Sequence, residues 1–329
     1  MKSKHAFGVR FDPPEEPFDL VPAEGWPATR HQFDRTSTWA VRAAFATGRP
    51  LLVRGEPGTG KTQLARAAAQ VLGRPLLYEV INSRTEVTDL LYTFDAVARL
   101  ADAQVLGNVE RDREAVRQAL LPQKYVRPGR VWWALDWPGA RKQAEESGAE
   151  VPAAGEESWR KGCVLLVDEI DKADAELPNA LLECFANQSF QVPYLRTSVC
   201  GNAEQPSPLV VVTTNEEREL PGAFLRRCLV LHLQLEADDD KLKRFLVARG
   251  EVHFSPVFGK TRGFRDILVA AAERLVKDRS DASGAVQRPG QAEYLDLCRA
   301  VFSLAADGVG AAAEIMREVG DFAMRKNPL

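Results

Sequence analysis

The chain of 329 residues has length for about two domains, and its 45% apolar content is enough for a sizeable core. Its net charge of −3 gives no general attraction to nucleic acid or to an anionic membrane. The N-terminus lacks the apolar segment of a secretion signal, and no run of about 18 apolar residues occurs. We therefore expect a cytoplasmic protein with no membrane association, and we expect its five cysteines to be reduced and mostly buried.

The first third of the chain alternates between extended and helical patterns. Residues 1–34, with five prolines between positions 11 and 27, are predicted to be an extended N-terminal arm. A helix is predicted over 35–47, a short buried strand over 49–54 and an Ala-rich helix over 63–72. A second strand over 75–81 and a mostly helical segment over 86–105 follow.

Three more apolar runs complete a five-stranded pattern, at residues 163–167, 209–213 and 228–233. Strands that alternate with helices predict an α/β fold with a parallel sheet and helices on both faces. After Asp238 the strand signals nearly vanish, and helical spacing covers residues 241–249, 263–276, 291–305 and 311–324. We predict an α/β domain over 35–236 and a small all-helical domain over 237–329.

Between the first strand of this sheet and the next helix lies a match to the phosphate-loop pattern G-x-x-x-x-G-K-[ST]. Its glycines let successive backbone N–H groups and the helix N-terminus point toward phosphate oxygens. The Lys adds a mobile positive charge and the final Thr adds a hydroxyl ligand for Mg²⁺. The predicted nucleotide-binding residues are Gly55, Glu56, Pro57, Gly58, Thr59, Gly60, Lys61, Thr62 and the following Gln63.

The strand over 163–167 ends in Asp168 and Glu169, two acids at the tip of an apolar run. An acid at that position beside a phosphate loop is suited to hold Mg²⁺, so we assign Asp168 to the metal together with Thr62. Glu169, one residue further, is predicted to be the general base that activates the attacking water.

The next strand delivers Asn215 at its tip, and we predict that its neutral amide positions that water or senses the terminal phosphate. Twelve residues later, Arg226 and Arg227 precede the fifth strand. A guanidinium there could stabilise the developing charge of phosphoryl transfer, an effect worth about 10³ to 10⁵ in rate.

Together these stretches resemble the AAA+ ATPases, and within them the MoxR-type branch related to dynein-like modules. The resemblance covers nearly the whole chain and implies a P-loop NTPase αβα sandwich followed by a helical lid. The stretches that carry it are residues 55–62 (Walker A), 165–173 (Walker B), 212–215 (sensor 1), 219–228 (the arginine-finger segment) and 181–209 (the hairpin before sensor 1).

In this family the finger arginine reaches the nucleotide of the neighbouring subunit, which implies a homo-oligomeric ring, usually a hexamer. Arg227 fits that role best, with Arg226 as the reserve. Arg288 resembles a sensor 2 position, at which a basic residue of the lid touches the γ-phosphate. Lys277, Arg279 and Arg299 remain alternatives for it.

Two stretches depart from the family pattern. Residues 139–162 are charged and weakly patterned, so we predict a mobile insertion loop there. Residues 125–137 cluster three tryptophans with two arginines, which is compatible with a surface that grips a polypeptide or stacks on bases. Burial against the sheet is the favoured interpretation, because tryptophans are usually substantially buried.

The predicted function is binding and hydrolysis of Mg-ATP in an oligomeric ring that remodels or chaperones a partner protein or complex. The resemblance suggests a von Willebrand factor A-type protein as that partner. An ATP-gated scaffold that recruits effectors is a first alternative. A nucleic-acid remodelling ATPase is a second one, which the near-neutral charge disfavours.

Overall fold

The structure, a computed structural model, describes residues 10–23, 25–109, 112–155, 157–281, 288–306 and 311–324. Predictions for the two ends of the chain, 1–9 and 325–329, lie outside these residues. Backbone contacts divide the chain into two compact units. The first comprises residues up to Asp12, Thr36–Val53 and Ala68–Leu231, and the second comprises Pro13–Arg35, Arg54–Ala67 and residues from His232 onward. The predicted domain limits at 35, 236 and 237 stay predictions.

Strands and helices alternate through most of the described chain. The strands are β1 Phe18–Leu20, β2 Thr29–His31, β3 Leu51–Arg54, β4 Leu76–Val80, β5 Tyr92–Phe94, β6 Val126–Pro128, β7 Val164–Asp168, β8 Ser189–Val192, β9 Thr197–Cys200, β10 Leu209–Thr214 and β11 Leu229–His232. The helices are α1 Arg35–Thr47, α2 Lys61–Leu72, α3 Val87–Leu91, α4 Ala96–Val109, α5 Arg113–Ala119, α6 Arg130–Leu135, α7 Trp137–Ser147, α8 Glu176–Asn187, α9 Gly222–Arg227, α10 Asp239–Phe258, α11 Phe264–Asp281, α12 Gln291–Ala306 and α13 Ala312–Met324.

The central sheet has five parallel strands in the order β11, β3, β10, β7, β4, which confirms the predicted sheet and its five apolar runs. All five residues of β7 and all six of β10 are buried, as expected for strands covered on both faces. Leu209 of β10 pairs with Val164 of β7, and β4 pairs with the other edge of β7. Because the strands are parallel, their carboxyl ends meet at one edge of the sheet.

The C-terminal helices α10–α13 form their own apolar core, with Leu246, Leu268, Tyr294 and Phe302 at most 2% exposed. The side chain of Asp238 caps α10 by accepting a hydrogen bond from the Lys241 backbone N–H at 2.9 Å. Capping and the charge preference of the first turn account for the three consecutive acids that begin this helix.

Two segments differ from their predicted structure. The predicted helix over 86–105 is interrupted by β5, which pairs antiparallel with β6. The predicted mobile loop over 139–162 was wrong for its first part, because α7 covers it through Ser147. Asp136 caps α7, and the buried Gln143 donates to the backbone carbonyls of Gln123 and Val126 at 2.8 and 2.7 Å. The charged, weakly patterned sequence concealed these tertiary hydrogen bonds.

The tryptophan-rich segment is part of the core, which confirms the favoured interpretation. Trp132, Trp133 and Trp137 are 2–4% exposed and are not available for gripping a partner.

In the N-terminal arm, β1 and β2 form an antiparallel pair that the extended-arm prediction did not include. Cys200 is exposed and the other four cysteines are buried, with all five free. Among the described helices, none combines the length and apolarity needed to cross a membrane.

Candidate functional site

The phosphate loop connects β3 to α2, and Lys61 is the first residue of that helix. The Lys61 side chain is 7% exposed, and its Nζ donates to the carbonyl oxygens of Gly55 and Glu56 at 2.8 and 2.9 Å. The Thr59 hydroxyl also donates to the Glu56 carbonyl, at 2.9 Å. The loop is therefore closed on itself by its own hydroxyl and ammonium groups, with the lysine held over the loop backbone.

The loop also contacts the helical part of its own unit. The Arg279 guanidinium donates to both carboxylate oxygens of Glu56, at 2.9 and 3.3 Å. A Cβ added to Gly58 would lie 2.8 Å from the Cβ of Ala292. Arg288, the predicted sensor 2 residue, is exposed. Arg279, one of the alternatives for that role, contacts the loop through Glu56.

Two other predicted nucleotide-binding residues follow Lys61 in α2. Thr62 and Gln63 are partly buried. The Gln63 side-chain oxygen accepts from Arg66 at 2.8 Å, so this amide is committed to a neighbour on its own helix. The sequence analysis did not predict the contact between Gln63 and Arg66. Residues three apart on a helix can pair, but which ones do so becomes evident only once the exposed face of the helix is known.

Asp168 ends β7 as a largely buried carboxylate, 8% exposed. The hydroxyl of Thr213 donates to its Oδ1, and the hydroxyl of Tyr78 donates to its Oδ2 at 3.3 Å. Burial, and then the Asp168 charge, raise the pKa of Tyr78 to about 12, so the phenol stays protonated as a donor at neutral pH. Thr213 also accepts from the Glu169 backbone N–H at 3.0 Å, which fixes the turn after β7.

The carboxylate of Glu169 is held from two sides. The side-chain amide of Asn215 donates to Oε1 at 3.2 Å, and Lys172 Nζ donates to Oε2 at 2.6 Å. That hydrogen bond to Glu169 is the main cause that raises the pKa of Lys172. The predicted base and the predicted sensor residue are therefore direct neighbours, although 46 residues separate them in sequence.

Asp171 is a positioning residue that the sequence analysis missed. It is 2% exposed, and its two oxygens accept from the backbone N–H groups of Asn215 and Glu217 at 3.4 and 2.9 Å. A buried carboxylate that accepts two backbone N–H groups anchors the loop that carries Asn215. The signal available in the sequence was only an Asp three residues after Asp168, which is also common at helix starts.

Arg226 and Arg227 are the last residues of α9, and both side chains are exposed. The side chain of Arg49 donates to the backbone carbonyls of Arg226 and Arg227 at 2.6 and 3.0 Å and fixes the end of this helix. The Arg227 side chain borders an open groove of about 710 Å³ along α8, together with Glu176 and Glu183. Within the described part of the chain, no hydrogen bond or ion pair joins Arg227 to Glu169 or Asn215.

Thr62 and Asp168, which lie in different compact units, carry a hydroxyl and a carboxylate, and each is a hard oxygen donor of the kind that suits Mg²⁺. Within the described part of the chain, no group of three or more His, Cys, Asp or Glu residues is arranged around a metal position. Taken separately, each of these side chains fits a Mg²⁺ that takes most of its ligands from water and from substrate phosphates.

A scan against protein-family models matches residues 50–228 to the AAA domain of the dynein-related subfamily. None of the curated proteins searched matches the chain. Among solved structures, a protein from Cytophaga hutchinsonii provisionally described as an ATPase is 14% identical, with a TM-score of 0.37, and the alignment covers 87% of this chain and 78% of that one. The RuvB Holliday junction branch migration motor of Thermotoga maritima is 15% identical, with a TM-score of 0.40 and coverage of 86% and 66%. A single-residue variant of that motor is 16% identical, with a TM-score of 0.42 and coverage of 87% and 68%.

Proposed function

Because the chain belongs to the dynein-related subfamily of AAA domain proteins, we propose that it binds Mg-ATP and hydrolyses it as an oligomer. Domains of this family are generally ATPases that assemble into rings. The observation that best supports hydrolysis is the arrangement around Glu169. Glu169 directly follows Asp168 in the sequence. Its carboxylate accepts hydrogen bonds from the side chains of both Asn215 and Lys172.

In this proposal the phosphate loop supplies the binding energy for the triphosphate. Lys61 exchanges its bonds to the loop carbonyls for bonds to phosphate oxygens, because a charged acceptor binds an ammonium more strongly than a carbonyl does. Thr62 and Asp168 hold the metal. When bound, Mg²⁺ would neutralise charge on the phosphates.

Glu169 accepts a proton from the attacking water, and Asn215 keeps the carboxylate in its orientation. The backbone of Glu169 has φ 60° and ψ 45°, a left-handed conformation that is uncommon outside glycine. Non-glycine residues in such conformations persist where the surroundings hold them, and here the Thr213 hydroxyl and the side chains of Asn215 and Lys172 do so.

We propose that Arg227 acts on the nucleotide of a neighbouring subunit in a ring, with a hexamer as the expected form. Two features support this role. Its side chain is exposed, and Arg49 fixes the backbone at the end of α9 by donating to the Arg227 carbonyl. The groove that it borders carries two acids, Glu176 and Glu183, and offers a place for a basic surface of the next copy.

We further propose that ATP turnover serves to remodel or chaperone a partner protein or complex. The family resemblance supports this role and makes a von Willebrand factor A-type protein the first partner to test. We propose a cytoplasmic location, as the sequence analysis predicts.

The direct test of hydrolysis is phosphate release by the Glu169→Gln variant. We expect Mg-ATP binding to persist while turnover falls by about 10²- to 10⁴-fold, because the amide cannot accept the proton. Glu145→Gln, an equivalent change at an exposed acid on α7, is the control and should remain active. Unchanged turnover in Glu169→Gln would remove Glu169 as the base. No phosphate release by the assembled wild-type protein would refute the proposed function itself.

A further inference from the structure

Glu56, the second residue of the phosphate loop, binds two cations at once. Its carboxylate accepts from Arg279 in a two-point contact, at 2.9 and 3.3 Å. Its backbone carbonyl accepts from Lys61 Nζ at 2.9 Å. Both cations belong to the same compact unit as the loop. Glu56 therefore binds both the lysine of the loop and an arginine of α11.

Arg279 is held firmly in this position. Its side chain is 14% exposed, and its Nη1 also donates to the carbonyl of Pro289 at 2.7 Å. The Glu56 side chain is 49% exposed, so the carboxylate is the more solvated partner. Movement of Glu56 would leave the guanidinium beside the loop, with two of its donors available to another acceptor.

A carboxylate and a phosphate offer a guanidinium similar pairs of oxygen acceptors, and both form two-point contacts with arginine. A triphosphate that enters this loop would bring several negative charges near Glu56, and like charges at short range repel. The ligand and the Glu56 carboxylate therefore compete for the same guanidinium.

We propose that Glu56 sets the affinity of the loop for nucleotide by competing with it for Arg279. In the bound state Arg279 contacts the phosphates and Glu56 turns toward solvent. This inference rests on the proposed function, because it needs a triphosphate in the loop. Glu56 would then have the opposite role from the other loop residues, because loss of its charge would strengthen nucleotide binding.

Half of the Glu56 side chain is exposed, so water and salt weaken its interactions, and the expected effect is several-fold. If the pair served only to tie α11 to the loop, loss of the carboxylate would loosen the loop and weaken nucleotide binding. The two roles thus predict opposite signs for the same substitution.

The experiment measures the dissociation constant of Mg-ATPγS by calorimetry on the full chain. The proteins are the wild type, Glu56→Gln, Arg279→Met, the double variant and Glu251→Gln as a control. Glu251 forms an ion pair with Arg265 at 3.3 Å in the same unit, so this control removes one charge from a comparable surface pair. Far-ultraviolet circular dichroism establishes that each variant is folded.

We expect Glu56→Gln to bind about 3- to 10-fold more tightly than the wild type, and Glu251→Gln to differ by less than about twofold. Arg279→Met should bind more weakly, and adding Glu56→Gln to it should restore little. Unchanged or weaker binding by Glu56→Gln would overturn the inference and leave the proposed function intact. Equal tightening with and without Arg279 would also overturn it, because charge repulsion alone would then explain the effect. If the wild type binds no nucleotide, the proposed function fails and the inference fails with it.

Discussion

Asn215 at the end of β10 donates its side-chain amide to Glu169 at the end of β7, across 3.2 Å. The two strands are neighbours in the sheet, and their register places both carboxyl ends at the same edge. Asp171 anchors the backbone of Asn215, so the amide does not depend on a mobile loop for its position. The contact joins the predicted base to the predicted sensor residue.

The first prediction concerns that amide. In Asn215→Ala, turnover should fall by about 10- to 100-fold while the dissociation constant of Mg-ATPγS stays within about twofold, because the amide orients the base and does not hold the ligand. Phosphate release and calorimetry provide the two numbers. Gln118→Ala, at an exposed amide on α5, is the control. An equal loss of binding and turnover would show that Asn215 contacts the nucleotide or maintains the fold.

The second prediction compares two glycines of the phosphate loop. Gly58 and Gly60 both have positive φ, 76° and 92°, so alanine at either position costs about 1 kcal/mol of backbone strain. The Cβ at position 58 would also press on Ala292 at 2.8 Å, whereas the Cβ at position 60 meets nothing within 4 Å. Gly58→Ala should therefore lose about 1–3 kcal/mol more than Gly60→Ala in urea unfolding. Equal losses would contradict the packing of Gly58 against Ala292.

The third prediction is loss of stability in mild acid, caused by two histidines of the second unit. Burial is the main cause that lowers the pKa of both His31 and His253 to about 4, and the positive charge of Arg249 is the next one. In the unfolded chain a histidine titrates near 6.5. Between pH 6.5 and 4 the unfolded state therefore binds more protons, and stability present above pH 6.5 is lost as the pH falls.

The slope in that window is at most about 1.4 kcal/mol per pH unit for each histidine. The measurement is the free energy of unfolding in urea at pH 7 and pH 5. His31→Gln should show a smaller loss than the wild type, and the exposed His232→Gln should show the same loss. A His31→Gln variant that is as acid-sensitive as the wild type would contradict this assignment.

Local patterns in the sequence were sufficient for the central sheet, for α1 and α2, and for the four C-terminal helices. Two uninterrupted apolar runs became β7 and β10, and the acid and amide that follow them came together because parallel strands end at one edge. Helix α1 matches its prediction at both ends, with Gly48 after it at a positive φ of 67°. These features depend on neighbours in the sequence, or on the rule that the carboxyl ends of parallel strands meet at one edge of the sheet. They could therefore be predicted without coordinates.

Features that depend on long-range side-chain contacts could not be predicted. Nothing in the sequence marks Arg49 as the residue that holds the end of α9, or Arg279 rather than Arg288 as the partner of Glu56. Charged residues are abundant, and only their positions in three dimensions show which ones pair. The prediction of a mobile loop in the α7 segment was wrong for the same reason. In the sequence, the buried Gln143 cannot be distinguished from an exposed polar residue.

The most direct test of the central claim measures ATP turnover in mixtures of two inactive variants. Lys61→Ala removes nucleotide binding but keeps Arg227, whereas Arg227→Ala keeps its own loop and Glu169. Each variant alone should release phosphate at least about 10²-fold more slowly than the wild type. In mixed oligomers, which differently tagged subunits would establish by co-purification, activity should reappear because the Lys61→Ala subunit lends its arginine to a neighbour. Mixed oligomers that stay inactive, or full activity of Arg227→Ala alone, would contradict a catalytic site shared between subunits.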